Sequence, residues 1–377
     1  MCSFIQCFHN HIMTNKNISN GTFVIEGTSI QSVRSGIGRY VFELVSSFDK
    51  IGVDMLIIQN KVEKDNSEFD RWSDKQFFLS AFFRKLIWVL SDKLPFFKIN
   101  WLIRGKSNIF IFPNFKYLRT KSPSLTIVHD ISYTKDENWI SKGLRKRLNL
   151  WVKLAIKSNS AIATVSNAAA AEIAKYYSYP LEKILILPPG LNPQMANTNP
   201  DAPLGSRKGY LVVGTLERRK NQEQIIMSFC NLSERSQKNN PLTIVGGISN
   251  NYENLLGLAK GNKYITIRTT VSNEELIELY QRNRYLISAS SYEGFGMQVA
   301  EAMHFNMGLI LSDILVHYET SGGNAIFFPV GDVNTLSSLL DNIDENLIIK
   351  NIASANRFSE IYNFDTTAKK VIDFFKV

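Results

Sequence analysis

The chain alternates short apolar runs with amphipathic stretches of helical period, and this alternation is repeated in its two halves. In the first half, apolar runs typical of buried strands lie at 22–25, 54–58, 109–112, 125–128 and 161–165. In the second half they lie at 210–214, 242–246, 264–267, 286–288, 309–311 and 325–328. Strands that alternate with helices predict parallel sheets covered by helices on both faces. We therefore expect two doubly wound α/β domains.

A segment rich in Pro, Asn, Asp and Gly separates the two halves and is typical of an interdomain linker. We assign a first domain to 1–192, a linker to 193–207 and a second domain to 208–365. A length of 377 residues is sufficient for two hydrophobic cores. In open parallel sheets, ligands bind at the carboxyl ends of the strands. The predicted active site is therefore the cleft between the two domains.

The composition narrows the class of protein. With 44% hydrophobic and 20% charged residues, the chain is typical of a globular protein. The N-terminus lacks a basic leader and a sustained apolar core, and no run approaches the length of a membrane span, so we expect a cytoplasmic protein. Cys2, Cys7 and Cys230 have neither metal-ligand spacing nor an even count, as expected of reduced thiols.

The positive charge is concentrated in two segments. A net charge of +9 indicates an anionic partner such as nucleic acid, a membrane surface or a phosphorylated substrate. Residues 71–106 interleave basic with bulky aromatic side chains, and residues 142–157 have helical spacing with one apolar face. Each segment is either a core helix with a solvated basic face or a peripheral contact with an anionic membrane. No nucleic-acid-binding motif accompanies the charge, so no nucleic acid partner is expected.

Two carboxylates, Glu293 and Glu301, flank a glycine loop within residues 290–303. An apolar run at 285–289 precedes the loop and good helix formers follow Gly296, which predicts a strand, a loop and a helix. The rise of an α-helix places the two carboxylates roughly 10 Å apart, too far to share a proton. Backbone amides at such a helix start favour phosphate. The pattern favours a clamp on a long ligand with hydroxyl groups at both ends, such as an activated sugar.

A second glycine loop, with Gly36 and Gly38, opens a helix predicted at 39–48. The loop differs from a dinucleotide fingerprint, because Val41 replaces the third glycine and Asp54 precedes the strand that the ribose-binding acid should follow. Glycines here permit close approach of the backbone to a ligand. The alternative is an ordinary strand-to-helix turn.

His129 and Asp130 follow a predicted strand and therefore lie at its carboxyl end, where site residues accumulate. His129 is the histidine that we assign to the site, and the other histidines receive a structural interpretation. Asp130 either contributes to the site or caps the following turn.

A cationic turn, formed by Arg218, Arg219 and Lys220, follows the strand predicted at 210–214. Three cations at a strand's carboxyl end can neutralise a diphosphate leaving group. A solvated basic turn is the alternative interpretation.

These segments together resemble one family. Glu293 and Glu301 match the E-x7-E signature of retaining glycosyltransferases of the GT-B fold, specifically family GT4, or glycosyltransferase group 1. Residues 214–221 resemble the family's G-T-L-E-P-R-K-N segment with Arg218 in place of proline, and His129 resembles the histidine of its H-D motif. The resemblance covers most of the chain.

The resemblance implies roles for individual positions. It implies catalytic roles for His129, Glu293, Arg219 and Lys220. It implies donor binding by Gly36, Gly38, Asp130, Gly294, Phe295, Gly296 and Glu301. In this picture Glu293 orients the sugar hydroxyls, Glu301 holds the ribose hydroxyls, and the cations neutralise the diphosphate. No metal or other cofactor is expected, and the acceptor proton leaves toward a diphosphate oxygen.

The resemblance also implies an overall arrangement and a substrate class. Two Rossmann-like domains face each other across a cleft, and a C-terminal helix at 366–377 packs back on the first domain. Similarity to bacterial polysaccharide mannosyltransferases favours GDP-mannose as donor, with a rhamnosyl or other hexosyl donor as the alternative. The acceptor would be a saccharide, lipid-linked in O-antigen or capsule synthesis, and contact with the inner face of the cell membrane is a hypothesis.

Other classes remain open at this stage. A nucleotide-sugar epimerase of the same fold would consume donor without an acceptor. A phosphorylase of that fold would carry a lysine-linked pyridoxal group. A non-catalytic partner subunit would tolerate the loss of the two glutamates and the two cations.

Overall fold

The chain folds around two separate parallel sheets, each with helices on both faces. The computed structural model describes residues 21–30, 36–60, 72–103, 108–199, 206–343 and 361–375. Cys2, Cys7, the start of the first glycine loop, part of the linker and both ends of the 71–106 segment lie outside these ranges.

The first sheet has the strand order β3-β2-β1-β4-β5-β6-β7, and every neighbouring pair is parallel. Its strands are β1 (Phe23–Glu26), β2 (Met55–Asn60), β3 (Gln76–Leu79), β4 (Ile109–Phe112), β5 (Ser124–Ile127), β6 (Ala161–Thr164) and β7 (Ile184–Ile186). The accompanying helices are α1 (Gly36–Ile51), α2 (Ala81–Lys93), α3 (Lys142–Lys157), α4 (Asn167–Tyr177) and the short α5 (Pro193–Ala196). The central strands are buried on both faces, as expected of a covered parallel sheet.

The second sheet has the order β10-β9-β8-β11-β12-β13 and is also parallel throughout. Its strands are β8 (Tyr210–Val213), β9 (Leu242–Val245), β10 (Ile265–Arg268), β11 (Tyr285–Ser288), β12 (Gly308–Ser312) and β13 (Ile326–Phe328). The helices are α6 (Gln222–Cys230), α7 (Glu234–Asn239), α8 (Tyr252–Ala259), α9 (Asn273–Arg282), α10 (Met297–His304), α11 (Leu315–Ser321), α12 (Val333–Asp341) and α13 (Phe364–Phe375). The two doubly wound units that the alternation predicts are both present.

Two strands were missed from the sequence, and both lie at the edges of the first sheet. β3 belongs to the basic and aromatic segment whose composition suggested an interface, and its Phe78 is exposed. β7 has only three residues, too few to show a period. Edge strands of this kind lack the continuous apolar pattern that identifies a central strand.

The chain crosses between the two units twice, and the crossings lie side by side. The amide of Leu191 donates to the carbonyl of Tyr362 at 3.3 Å, and Thr367 Oγ1 donates to the carbonyl of Pro188 at 2.7 Å. A Cβ added at Gly190 would lie 2.4 Å from the backbone nitrogen of Phe364. A side chain at Gly190 would therefore force the two crossings apart.

The C-terminal helix α13 packs against α1 of the first unit. Asp365 accepts a hydrogen bond from Ser47 at 2.8 Å and pairs with Lys50, and the rings of Phe23 and Phe375 are 6.2 Å apart. One apolar cluster continues from the first unit into the second through these contacts.

Helix boundaries follow local sequence signals. α9 begins with the capping box that the sequence predicts, in which Ser272 and Glu275 satisfy each other's backbone amides. α3 spans the predicted 142–157 segment and buries Trp151 and Val152. Of the helices in the described ranges, none has the length and apolar character needed to cross a membrane.

Candidate active site

The two units meet where the loop after β11 contacts the carboxyl end of β5. A Cβ added at Gly294 would lie 2.4 Å from the carbonyl oxygen of His129 and 3.1 Å from Cβ of Asp130. On the same loop, the carbonyl of Gly294 accepts a hydrogen bond from Ser166 Oγ at 2.6 Å. The glycine therefore permits a contact between the two sheets that any other residue would prevent. His129 and Asp130 lie next to the Glu293 loop for this reason.

Glu293 is buried and pairs with two of the three cations of the turn after β8. Its Oε2 accepts from Arg219 at 3.0 Å, and its Oε1 pairs with Lys220 and accepts from Ser290 Oγ at 2.8 Å. Burial alone would raise the pKa of Glu293, but Lys220 and Arg219 together outweigh it and hold the pKa well below its usual range. Glu293 is therefore a carboxylate at any physiological pH.

Arg219 is held within its own loop as well as by Glu293. One terminal nitrogen donates to the carbonyl of Tyr292 at 2.6 Å, and the other donates to Glu217 at 2.6 Å. Burial opposes its charge, but Glu293 and Glu217 raise the pKa of Arg219 above its usual range. Arg218, the third cation of the turn, is exposed.

Lys220 retains donors for a ligand. An ammonium group has three N–H donors, and within the described part of the chain Glu293 takes one of them. The stem of Lys220 lies over Gly214, where an added Cβ would be 3.3 Å from Cε of the lysine. The structure thus distinguishes two cations that the sequence treated as a pair: Arg219 donates to Glu293, to Glu217 and to a backbone carbonyl of the neighbouring loop, whereas Lys220 donates to Glu293.

Glu301 lies on α10 and is contacted from the opposite unit. Arg39, in the first turns of α1, lies 3.4 Å from Oε1 of Glu301 and also donates to Asn273 at 3.0 Å. Tyr280 donates to Oε2 at 2.6 Å. Burial raises the pKa of Glu301, and Arg39 and Tyr280 offset only part of that effect. Sequence reasoning missed Arg39 and Tyr280, because neither belongs to a recognisable motif.

His129 is buried and neutral. Its Nε2 lies 2.7 Å from the carbonyl of Pro113, and a carbonyl only accepts, so Nε2 carries the hydrogen. Burial lowers the pKa of His129, with opposing contributions from Pro113 and Asp130. The ring packs edge-on to Tyr40 at 4.9 Å. In this tautomer Nδ1 is a hydrogen-bond acceptor suited to a hydroxyl group.

The other predicted positions are the glycines of the two loops, Phe295 and Asp130. Gly296 has φ of 85° and precedes α10, as the predicted glycine turn requires, and Gly36 begins α1 with open space around it. Gly38 is buried in the first turn of α1. The ring of Phe295 is buried and packs edge-on to Tyr362 at 4.8 Å. Asp130 accepts from the amide of Ser132 at 2.8 Å, which is the capping alternative.

His317, to which the sequence assigned a structural role, lies in a buried polar network beneath Glu293. Its Nδ1 lies 3.0 Å from the carbonyl of Ser312, and its Nε2 lies 3.3 Å from Ser288 Oγ. Ser312 Oγ donates to the carbonyl of Ser290, whose own hydroxyl donates to Glu293. Burial lowers the pKa of His317, so the network supports Glu293 with a neutral ring. No spacing in the sequence indicated that His317 lies in a network with Glu293.

Comparison with known proteins places the chain among glycosyltransferases. Residues 200–359 match the family model for glycosyl transferases group 1. The O-antigen chain mannosyltransferase B of Escherichia coli is 25% identical over 278 residues, which cover 69% of this chain and 73% of that protein. The serotype-specific mannosyltransferase WbdA of Escherichia coli is 28% identical over 223 residues, 54% of this chain but only 27% of that longer protein.

Solved structures show the same fold. WaaG, a glycosyltransferase involved in lipopolysaccharide biosynthesis, superposes with a TM-score of 0.68 over 94% of this chain and 99% of its own, at 13% identity. The two helix-covered parallel sheets are therefore the GT-B architecture that the resemblance implied.

Proposed function

We propose that this protein, a GT-B glycosyltransferase with a group 1 domain, transfers a mannosyl residue from GDP-mannose to a saccharide acceptor with retention of anomeric configuration. The observation that carries the proposal is the buried carboxylate of Glu293 bound by Arg219 and Lys220, beside a second buried carboxylate, Glu301. The two acids and the cations lie where the two sheets meet. This arrangement matches the two ends and the charged middle of a nucleotide sugar.

The chemistry proposed for the cleft is chiefly electrostatic. As the glycosidic bond to the diphosphate breaks, negative charge develops on the leaving oxygens. Lys220 and the amides near Gly296 at the start of α10 stabilise that charge, while Arg219 fixes the loop that carries Lys220. Contact between the loop of Gly294 and His129 excludes water from the reacting centre. The acceptor proton leaves toward a diphosphate oxygen.

The two glutamates divide the recognition of the donor. Glu293 is ionised and accepts the hydroxyls of the sugar, with the neutral His129 as an additional acceptor through Nδ1. Glu301 accepts the ribose hydroxyls, and Arg39 competes with these hydroxyls for the Glu301 carboxylate. A nucleoside diphosphate sugar presents hydroxyl donors at both ends, and carboxylates are acceptor-only groups when ionised.

The choice of mannose and of a polysaccharide product rests on the relatives. One of those reported above is named an O-antigen chain mannosyltransferase and the other a serotype-specific mannosyltransferase. We propose that the reaction needs no metal, because lysine and arginine supply positive charge at the diphosphate.

The donor is tested by thermal unfolding of the purified protein with each common nucleoside diphosphate and its sugars, with chelator present. Binding to the folded state raises the melting temperature according to affinity and concentration. We expect a shift with GDP and GDP-mannose that Glu301→Ala abolishes. The control Glu278→Gln changes an exposed carboxylate that pairs with Arg282 and should retain the shift.

Each other result redirects the proposal. A shift with a different base changes the donor, and conversion of the donor sugar to its epimer without acceptor would make the protein an epimerase. The absence of a shift with every nucleotide in a folded protein would sink the proposal and favour a non-catalytic subunit.

A surface of the first unit supports contact with an anionic membrane, which we propose for the enzyme at the inner face of the cell membrane. On α2, Phe82, Lys85, Val89 and Lys93 are all exposed and have the spacing of one helix face. Phe82 is 70% exposed. A solvated basic face would not carry exposed phenylalanine and valine, whereas an interfacial helix does. Nearby in sequence, Phe78, Phe96 and Trp101 are also exposed.

Co-sedimentation with vesicles of phosphatidylglycerol tests this surface. The double variant Lys85→Glu and Lys93→Glu should bind at least about tenfold more weakly, because each basic side chain contributes about 1 kcal/mol near an anionic surface. Phe82→Ser should weaken binding at high salt as well. The control Leu256→Ser changes a partly exposed apolar residue of the second unit. If the wild-type protein stays in the supernatant, the membrane contact is refuted.

A further inference from the structure

A buried glutamate of the first sheet, Glu26, lies on the same sheet edge as His129. Glu26 ends β1, and β1 is hydrogen-bonded to β4, which is hydrogen-bonded to β5, the strand that precedes His129. Because all these strands are parallel, their carboxyl ends share one edge of the sheet. Two strand spacings, about 10 Å, separate β1 from β5, and His129 lies three residues beyond Thr126, which is level with Glu26 across the sheet.

One carboxylate oxygen of Glu26, Oε1, is contacted by Thr28 and Lys116. Thr28 Oγ1 donates to Oε1, and the Lys116 ammonium lies 4.0 Å from that oxygen. Lys116 also donates to Thr28 Oγ1 at 3.1 Å, and its ammonium lies 4.6 Å from the ring centre of Trp88. These contacts fix the position of the carboxylate.

The second oxygen, Oε2, is buried and has no hydrogen-bond partner among the residues that the structure describes. The whole residue is only 2% exposed. A buried acceptor left unpaired destabilises the folded state, and more so when it belongs to a charged group. A purely structural ion pair would use both oxygens of the carboxylate at short range, and here the cation lies at the outer limit of pairing on one side only. The arrangement therefore indicates an acceptor prepared for a donor from outside the protein.

We propose that Glu26 binds a hydroxyl group of the saccharide acceptor, with Thr28 and Lys116 as the residues that position it. A neutral polyol fits better than an anion, because the Glu26 carboxylate repels negative charge, and better than a cation, because Lys116 lies beside the same carboxylate. The distance from His129 places this contact on a part of the acceptor remote from the attacking hydroxyl. This inference rests on the proposed transferase function, since only a transferase needs an acceptor.

Such a remote contact contributes to specificity and to rate. Binding energy from non-reacting parts of a substrate orients the reacting group. A site that hydrogen-bonds a substrate hydroxyl also rejects analogues that lack it, because its own buried polar group is then left unpaired.

Kinetics of Glu26→Gln test the proposal, with GDP-mannose as donor and octyl mannoside and octyl mannobioside as acceptor probes. A hydrogen bond to a charged group corresponds to roughly a tenfold to hundredfold change. We expect KM for the better acceptor to rise by about that factor, or kcat/KM to fall by it. Hydrolysis of the donor without acceptor and the thermal shift produced by GDP should be unchanged.

Acceptors that lack single hydroxyl groups identify the contact. The wild-type enzyme should lose activity with one deoxy acceptor, and Glu26→Gln should be insensitive to that same deletion, as a double-mutant cycle requires. The control Asp49→Asn removes a carboxylate that pairs with Lys75 at the end of α1 and should behave like wild type. If Glu26→Gln does not fold, Glu26→Asp, which shortens the side chain and keeps its charge, should show the same selective loss.

Two results would overturn the inference. Equal losses of donor hydrolysis, GDP binding and transfer in a less stable variant would show that Glu26 is structural. Unchanged acceptor kinetics in a folded variant would show that no acceptor hydroxyl binds there. If the wild-type protein itself neither binds nor consumes any donor, the transferase proposal fails instead, which is a distinct outcome.

Discussion

At the scale of single residues, Glu293 is the carboxylate that pairs with both Arg219 and Lys220 in the candidate site. It is a buried acid that remains ionised because Lys220 and Arg219 overcome the cost of burial. The pKa of the Glu293 carboxyl in the unfolded chain is about 4.5. The ionised carboxylate therefore stabilises the folded state above this pH, and the stabilisation is lost progressively as the pH falls below it. The same charge balance that serves the proposed reaction therefore links stability to pH.

Glu293→Gln should lower the free energy of unfolding at pH 7 by about 3 kcal/mol, because it leaves two largely buried cations without their carboxylate. The difference from wild type should shrink as the pH falls below about 4.5. Urea denaturation at several pH values measures both effects, and Glu278→Gln should differ from wild type by less than about 0.5 kcal/mol. A difference that does not depend on pH would contradict the assignment of a low pKa to Glu293.

Arg39 couples the two units through Glu301. Burial raises the pKa of Glu301 and Arg39 lowers it, so Arg39→Ala should raise that pKa further. Nucleotide affinity should then begin to fall at a higher pH on acidification than it does in wild type, because a protonated Glu301 accepts ribose hydroxyls less well.

Titration of GDP binding from neutral toward acidic pH locates the midpoint of this loss. The control Arg282→Ala removes an exposed arginine whose partner is Glu278. An identical midpoint in Arg39→Ala and wild type would show that the contact does not influence Glu301.

At the scale of elements, the N-terminus of α4 is completed by the other unit. The first amides of a helix lack intrahelical partners. Here the carboxylate of Glu319, on α11, accepts from the amides of Asn167 at 2.7 Å and Ala168 at 2.8 Å. Ser166 caps the same helix and also donates to Gly294. Contact between the units therefore satisfies a helix end that separation would expose.

Glu319→Ala should favour the separated arrangement of the two units. The loss of a capping acceptor costs about 0.5–2 kcal/mol, which corresponds to roughly a 2- to 30-fold change in the equilibrium. Small-angle scattering should show a larger radius of gyration, turnover should fall, and GDP should still bind. Glu319→Gln, which keeps an acceptor oxygen, should restore part of the activity, and Glu137→Ala, at an exposed pair with Arg145, should have no effect. An unchanged radius of gyration would refute this function of Glu319.

At the scale of the whole molecule, two glycines permit the close contacts between the two units and between the two crossings. The loop of Gly294 lies against the backbone of His129, and the crossings near Gly190 lie against each other. Both close approaches need a residue without a side chain. The candidate site thus depends on the relative position of the two sheets as well as on its own residues.

Gly294→Ala should abolish transfer while the second unit still binds GDP. The added methyl would lie within 2.4 Å of the His129 carbonyl, so the approach of the units is blocked. Activity assays and the GDP-induced thermal shift separate the two effects. Gly257→Ala is the matched control, since an added Cβ there meets nothing within 4 Å and helix propensity favours alanine. Normal turnover by Gly294→Ala would show that the contact is not needed for the reaction.

The sequence alone determined the segments that carry the candidate site and the strands of both sheets other than β3 and β7. Local signals predict the strand, turn and helix around Glu293 and Glu301, namely an apolar run, two glycines and a run of helix formers. The capping box of α9 and the helix at Lys142–Lys157 were predictable for the same reason. Periodicity and capping depend on residues only a few positions apart.

Only the tertiary structure decided which of these residues meet. Arg39 reaches Glu301 across 262 positions of the chain, and Ser166 reaches Gly294 across 128. The buried network of His317 beneath Glu293 and the unpaired oxygen of Glu26 likewise depend on the packing of several strands. Such contacts follow from strand order and from the approach of the two sheets, which no local period encodes. A single chain can therefore reveal its motifs by sequence, while the partners that set their charge and position emerge only when the fold brings distant segments together.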